Sequence, residues 1–451
     1  MKIKIKIKKK RNHSLENVRN IEEISLKAHE IAGGKVEQIG KVSVRSLKDL
    51  AVYYVPGVAY VSNAIRANKA LSYRYTARGN RIAIISDGSR ILGLGDIGPE
   101  AGLPVMEGKA LLFKKFGAVD ALPLAISADT TDQIVAFAKA IEPSVAGINL
   151  EDVSNTKCFD VLDRLQKELN IPVFHDDRQG TAVVTAAALE NALRLVGKDL
   201  KTVKIVINGA GSAGIGIAQL LLANGASNVI MCDTRGILYK GRADNMTPIK
   251  DTISEHTNKS QLKGQLADAV KGADVLIGAS SSGTFNDYLI KSMAQKAIVF
   301  ALANPEPEIS YERAKGAGAA IVATGTSAVP NQVNNLLAFP AIFRGALEIQ
   351  ARKINTAMLQ AASYELARGV PKALLSEDHI IPNFVDEDFT EITTNVAAAV
   401  AKAAIDTGVA EVRADSSEIK KRVREKLGRY SKMEKAISRL GNSKEIKHLF
   451  R

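Results

Sequence analysis

Short apolar runs alternate along most of this chain with longer stretches in which apolar positions recur every three or four residues. The first pattern predicts buried strands and the second amphipathic helices. Strands are expected at 82–86, 122–126, 145–150 and 171–174, and again at 203–207, 228–232, 274–277, 298–301 and 320–323. Helices are expected at 14–32, 130–141, 157–169 and 181–196, the last of these separating two strand-rich regions. Elements that alternate in this way argue for parallel sheets joined by crossover helices. Asp87-Gly88, directly after the first strand, reads as a hairpin-type turn. Beyond residue 335 the pattern becomes helical throughout, over 339–351, 354–368 and 391–406. The predicted fold class is α/β: an N-terminal α/β domain, a Rossmann-type doubly wound domain and a helical C-terminal region.

Composition adds limits to this picture. A length of 451 residues allows two or three domains, and 46% hydrophobic with 24% charged residues excludes a disordered chain. Cys158 and Cys232 are the only cysteines, too far apart for a CxxC site, so a zinc framework or disulfide scaffold is excluded and a reducing, cytoplasmic location is expected. The formal net charge of +13 suggests a polyanionic partner until its distribution is examined. Residues 1–11 carry seven cations and no acid, and 412–451 carry thirteen Lys or Arg against five acids, whereas 12–411 hold 41 basic and 43 acidic residues. The Lys/Ile alternation of the first segment reads as a solvated strand extension rather than a secretory or transit signal. In the second, Ile419, Val423, Leu427, Tyr430, Met433, Ile437 and Leu440 fall at helical spacing among cations. That pattern fits a packing or subunit-contact helix better than a nucleic-acid binder, since stacking aromatics are almost absent. No apolar run reaches the ~18 residues of a membrane span, so no membrane partner is expected.

Two clusters carry candidate chemistry. After the strand at 203–207 come Gly209, Ala210, Gly211, Ser212, Ala213 and Gly214, opening a helix that runs through Leu222. Glycines at that turn let backbone N–H groups approach a pyrophosphate at the helix N-terminus. The next strand ends in Asp233, nineteen residues after Gly214, where an acid can bind ribose hydroxyls and repel a 2′-phosphate. Strand, turn, helix and acid together predict a dinucleotide site, with NAD as the cofactor and NADP as an alternative, since the nearby Arg235 softens the preference against it. The second cluster is a pair of acidic doublets. Glu151-Asp152 and Asp176-Asp177 follow successive strands, and a right-handed crossover would bring both to one sheet edge. Each doublet alone could simply cap a helix. Together, four carboxylates in one cleft call for a hard cation, Mg²⁺ or Mn²⁺. Asn304, after the strand at 298–301, and the run Asn331-Gln332-Val333-Asn334-Asn335 could be turn residues or ligand contacts.

The order of these pieces resembles malic enzymes of the small prokaryotic type. The resemblance lies in Tyr54-Val55-Pro56-Gly57-Val58-Ala59, in Arg90-Ile91-Leu92-Gly93-Leu94-Gly95-Asp96, in Pro104-Val105-Met106-Glu107-Gly108-Lys109, in His175-Asp176-Asp177-Arg178-Gln179-Gly180-Thr181-Ala182 and in Asn331–Asn335, and it covers roughly 35–411. It implies oxidative decarboxylation of (S)-malate to pyruvate and CO₂ with reduction of NAD(P)⁺, and decarboxylation of added oxaloacetate. By resemblance Tyr54 is the general acid, Lys109 the general base and a substrate contact, and Asp176 the residue that tunes it. Glu151, Asp152 and Asp177 become metal ligands. Arg90, Asn304, Asn334 and Asn335 become substrate contacts, with Asn304 also at the cofactor. A homodimer or larger homo-oligomer is implied as well.

The expected division is a basic N-terminal extension and helix over 1–34, a substrate and metal domain over 35–180, a dinucleotide domain with C-terminal helices over 181–411, and a basic helical tail over 412–451. Lys109 is expected to act as a neutral amine when it is desolvated and near a cation. Two other readings compete. One is an amino-acid or 2-hydroxy-acid dehydrogenase on the same architecture, which would not need the acidic doublets. The other is a nucleotide sensor that holds nucleic acid through its basic ends, which would show salt-sensitive polynucleotide binding and no malate turnover.

Overall fold

The computed structural model describes residues 21–91, 94–155, 157–383 and 388–439. The expected strand at 1–11, the start of the first helix and the end of the tail lie outside these residues. Ten strands form two sheets: β1 (Arg81–Ser86), β2 (Asp120–Ala125), β3 (Ile148–Leu150), β4 (Val173–His175), β5 (Lys204–Asn208), β6 (Asn228–Asp233), β7 (Gly236–Ile237), β8 (Val275–Gly278), β9 (Ile298–Ala301) and β10 (Ile321–Thr324). The first sheet has the order β2-β1-β3-β4 and the second β10-β9-β8-β5-β6-β7. Apart from the antiparallel β7, every pairing is parallel. The second order is that of a doubly wound dinucleotide fold.

Alternate strand residues enter different cores, as parallel sheets covered on both faces require. Ile82 and Ile84 join one apolar cluster while Ala83 and Ile85 join another, and Ile205 and Ile207 likewise separate from Val206. The helix Thr181–Val196, with twelve buried positions, lies in the cluster that both sheets share, so it welds them into one body. Asp87-Gly88 makes no hairpin: β1 pairs in parallel with β2 and β3, and the chain leaves it toward a small Ile91–Gly95 bridge. A turn dipeptide reports a local reversal and does not name the next strand's direction. The basic tail forms a helix, Ser416–Ile437, that buries Ile419, Val423 and Leu427. It packs against the helices Phe389–Asp406, Pro99–Gly117 and Phe339–Glu348. Among the described residues no helix is long and apolar enough to cross a membrane.

Candidate active site

Register places the acidic doublets side by side. Leu150 at the end of β3 is opposite His175 at the end of β4, so Glu151-Asp152 and Asp176-Asp177 leave neighbouring parallel strands at the same edge. Asp152 has a left-handed backbone, φ 52°, and its N–H donates to Asp177 Oδ2 at 3.2 Å. Such a conformation costs about 1 kcal/mol outside glycine and gathers at functional sites. Lys109 reaches the same edge from the helix Pro99–Gly117. Its Nζ lies 2.6 Å from Glu151 Oε1, pairs with Asp176 Oδ2, and sits 4.5 Å from the centre of the Phe339 ring. Asn149, two residues before Glu151 and so on the same strand face, donates to Glu151 Oε2 at 2.8 Å. Asn335 donates to Asp176 Oδ2 at 3.1 Å and accepts from the Thr181 hydroxyl at 3.1 Å.

Electrostatics in this pocket are set by burial. Burial raises the Glu151 pKa well above the ordinary range. Lys109 opposes the shift, while Asp176, Asp177 and Asp152 add to it. Burial would lower the Lys109 pKa, but Asp176 and Glu151 outweigh it and the net shift is upward. These two carboxylates hold the amine protonated; the neutral lysine expected from the sequence belongs to a site where a bound cation stands beside it. His175, fully enclosed, has its pKa lowered by burial and stays neutral. The donor set of Glu151, Asp152 and Asp177 is all carboxylate oxygen and fits a hard divalent cation. Among the described residues no three acidic, imidazole or thiol groups are already closed around one point for a metal ion. The Lys109 ammonium supplies the neutralising charge in this arrangement.

The dinucleotide turn lies at the C-terminal end of β5. Gly209 has φ 127°, and a Cβ there would strike the Ala279 carbonyl oxygen, while one on Gly214 would strike that of Gly209. Both positions thus require glycine for a turn this tight. Gly211 is the N-cap of the helix Ser212–Ala223, whose N-terminus faces the first domain; Ala213 lies in its first turn. Asn155 Oδ1, from the loop after β3, accepts from Ser212 N at 3.0 Å. Arg90 donates to Asn155 Oδ1 at 2.8 Å and to Ser212 Oγ at 3.3 Å. Arg90 is thus engaged at the dinucleotide helix, not with the four carboxylates. Asp233 ends β6 as expected but is enclosed by Arg242, Lys250 and Asn245.

Other expected residues are scattered. Asn334 caps the turn Asn335–Leu337 by accepting from Leu336 N at 3.0 Å. Asn304 is exposed beyond the end of β9, with its amide 3.5 Å from the Leu302 carbonyl. Tyr54 is 64% exposed, and its side chain makes no hydrogen bond among the described residues. The helices around it, Leu47–Tyr53 and Gly57–Ala67, bury no residue. Asn149, Asn155 and Phe339 were not anticipated. Period-two spacing from Glu151 could have found Asn149, whereas nothing local marks the other two.

Both halves of the chain resemble known proteins. Residues 33–166 match the family described as "Malic enzyme, N-terminal domain", and residues 178–405 match "Malic enzyme, NAD binding domain". The chain is 47% identical over 405 residues to a bifunctional malic/malolactic enzyme of Bacillus subtilis, covering 90% of this chain and 98% of that one. It is 46% identical over 378 residues to an NAD-dependent malic enzyme of Geobacillus stearothermophilus, covering 84% and 78%. A crystal structure of malic enzyme from Pyrococcus horikoshii superposes with a TM-score of 0.88 at 42% identity, covering 94% of this chain and 99% of that one. With both halves matched in order and relatives this near over nearly their whole length, the chain belongs to the malic enzyme family.

Proposed function

We propose that the carboxylate edge beneath Lys109 is where this chain carries out its family's reaction, with the observation of Lys109 between Glu151 and Asp176 carrying the assignment. The activity is oxidative decarboxylation of malate to pyruvate with reduction of NAD(P)⁺. Residues 35–180 form the substrate and metal domain and 181–411 the dinucleotide domain with its helices. Glu151, Asp152 and Asp177 would hold Mg²⁺ or Mn²⁺, which when bound supplies Lewis-acid polarisation of the substrate oxygen.

Lys109 takes the C2 hydroxyl proton. Once Glu151 is committed as a ligand, Asp176 is the remaining carboxylate that stabilises the ammonium, and the buried amine above Phe339 can cycle between its charged and neutral forms. Asn335 holds Asp176, and so the amine, in register. The cofactor's pyrophosphate is received by backbone N–H groups from Gly209 to Gly214 and by Ser212, with the Asn155 amide giving way. Asn304 and Asn334 line the nicotinamide and substrate side. Arg90 bridges the two domains where substrate and cofactor meet.

Tyr54 is the proton donor to C3 of the enolate. Leu47 at 85%, Val55 at 62% and Tyr60 at 74% exposed make the segment around Tyr54 rich in exposed apolar side chains. A second copy of the chain covers this segment in a homodimer and brings Tyr54 to a site. The two buried, unpaired cysteines suit a reducing cytoplasm. Incubating the protein with malate, Mn²⁺ and NAD⁺ or NADP⁺ tests the reaction: pyruvate and CO₂ should appear in equal amounts with reduced nucleotide. Reduced nucleotide with oxaloacetate and no CO₂ would make it a simple 2-hydroxy-acid dehydrogenase.

A further inference from the structure

Asp233 stands where a dinucleotide fold reads the adenosine ribose, yet its carboxylate has no capacity left to do so. Oδ1 accepts from Arg235 N at 2.9 Å and from Arg242 Nη1 at 2.9 Å. Oδ2 accepts from Lys250 Nζ at 2.8 Å, from Asn245 Nδ2 at 3.1 Å and from Arg242 Nη2. Five donors meet the roughly four lone-pair positions of a carboxylate. A ribose diol could bind here only by displacing one of them.

The charge balance has also changed sign. Asp233 contributes −1 and its two buried cationic partners, Arg242 and Lys250, with side chains 5% and 12% exposed, contribute +2. Arg242 is turned inward: besides Asp233 it reaches the carbonyls of Gly236 and Ile237 and the Met246 sulfur. Lys250 and Asn245 each retain an N–H. Two residues after Asp233, Arg235 is 64% exposed, with only a 3.5 Å contact to the equally exposed Asp244. An exposed pair of that kind is worth little, so Arg235 is available to an incoming anion.

Resting on the dinucleotide reading of this sheet, we propose that the end of β6 is a 2′-phosphate site. Arg242 neutralises Asp233, while Arg235, Lys250 and Asn245 bind the phosphate, so the chain prefers NADP(H) to NAD(H). The acid that usually excludes a 2′-phosphate is converted into a scaffold that holds a lysine and an asparagine toward it.

Binding of NADPH and of NADH to the full chain, followed by nucleotide fluorescence without malate or metal, tests this apart from turnover. NADPH should bind about tenfold or more tightly than NADH, the size of one or two charge-assisted hydrogen bonds, with the gap narrowing as salt rises. Arg235→Ala should weaken NADPH about tenfold and NADH less than twofold. Asp244→Asn, a surface change that releases Arg235, should tighten NADPH binding about twofold. NADH bound as tightly as NADPH by the unmodified protein, or equal weakening of both nucleotides in Arg235→Ala, would overturn the phosphate assignment and leave the dinucleotide reading standing. Failure of both nucleotides to bind would overturn that reading too.

Discussion

Lys109 is the cation held between Glu151 and Asp176, and removing it exposes what that position is worth. Its Nζ pairs with Asp176 and lies 2.6 Å from Glu151, so deleting it leaves a buried carboxylate without its cation. The side chains of Lys109, Glu151 and Asp176 are 12%, 7% and 0% exposed, so water cannot replace the lost charge. Lys109→Met should therefore cost about 3–5 kcal/mol in metal-free protein, as for other broken buried pairs. With an unfolding entropy of roughly 2.1 cal/mol/K per residue over 451 residues, each kcal/mol is about 1 °C, so the melting temperature would fall by about 3–5 °C. The measurement belongs at pH 8. With its pKa raised, Glu151 holds a proton in the folded protein at pH values where the unfolded chain has lost it, so this group's contribution to stability falls as pH climbs from the ordinary range through the raised value. Lys109 works the other way: its contribution is complete below the ordinary lysine pKa and persists at pH 8. Mn²⁺ should then stabilise the variant more than the unmodified protein, because no ammonium competes for Glu151, and at least half of the gap should close. Thermal unfolding in EDTA and in Mn²⁺ provides both numbers. A gap under about 1 °C in EDTA, or one unchanged by Mn²⁺, would mean that Lys109 is not the cation these carboxylates depend on.

Three further outcomes follow from particular contacts. If Tyr54 acts across a dimer, mixing inactive Tyr54→Phe with inactive Lys109→Ala subunits should restore up to about a quarter of the activity, from the mixed dimers that carry one intact site; no recovery after verified subunit exchange would count against it. Burial pushes the Cys158 and Cys232 thiols up to about 12, so neither should react with a thiol reagent at pH 8 in the native state, and both should react after denaturation. Rapid native labelling of either would contradict its enclosure. The Asn155 oxygen occupies the Ser212 N–H that a pyrophosphate would use, so Asn155→Ala should tighten NADPH binding severalfold, and weaker binding would mean that Asn155 is itself a cofactor contact.

Much of this fold is visible in hydrophobic pattern, because both sheets are parallel and buried on both faces. Their strands read as apolar runs, and all nine expected ones appear within two or three residues. The two-residue β7 was missed since it buries too little to leave a period. Short helices between the later strands, such as Pro248–Ser254 and Asp287–Lys291, were missed for the same reason. The acidic doublets could be placed together from sequence because one crossover helix fixes parallel neighbours. Partnerships across long sequence separation leave no local signal: the pairing of Lys109 with Asp176 over 67 residues is implied only by the family resemblance, and that of Arg90 with Ser212 over 122 by nothing in the sequence. Asp233 shows a subtler limit: its position marks a ribose-binding acid, but Arg242 and Lys250, nine and seventeen residues further on, fold back and occupy it.

If Lys109 moves the proton that starts malate oxidation, removing it should stop turnover while leaving the fold and the nucleotide site intact. Malate-dependent nucleotide reduction by Lys109→Ala, beside titration of the same preparation with NADPH and its unfolding in Mn²⁺, tests that most directly. The expected result is a fall in kcat of about 10²–10⁴-fold with nucleotide affinity unchanged and the metal-loaded variant folded. A folded, nucleotide-binding variant that still turns over malate within tenfold of the unmodified protein would contradict it.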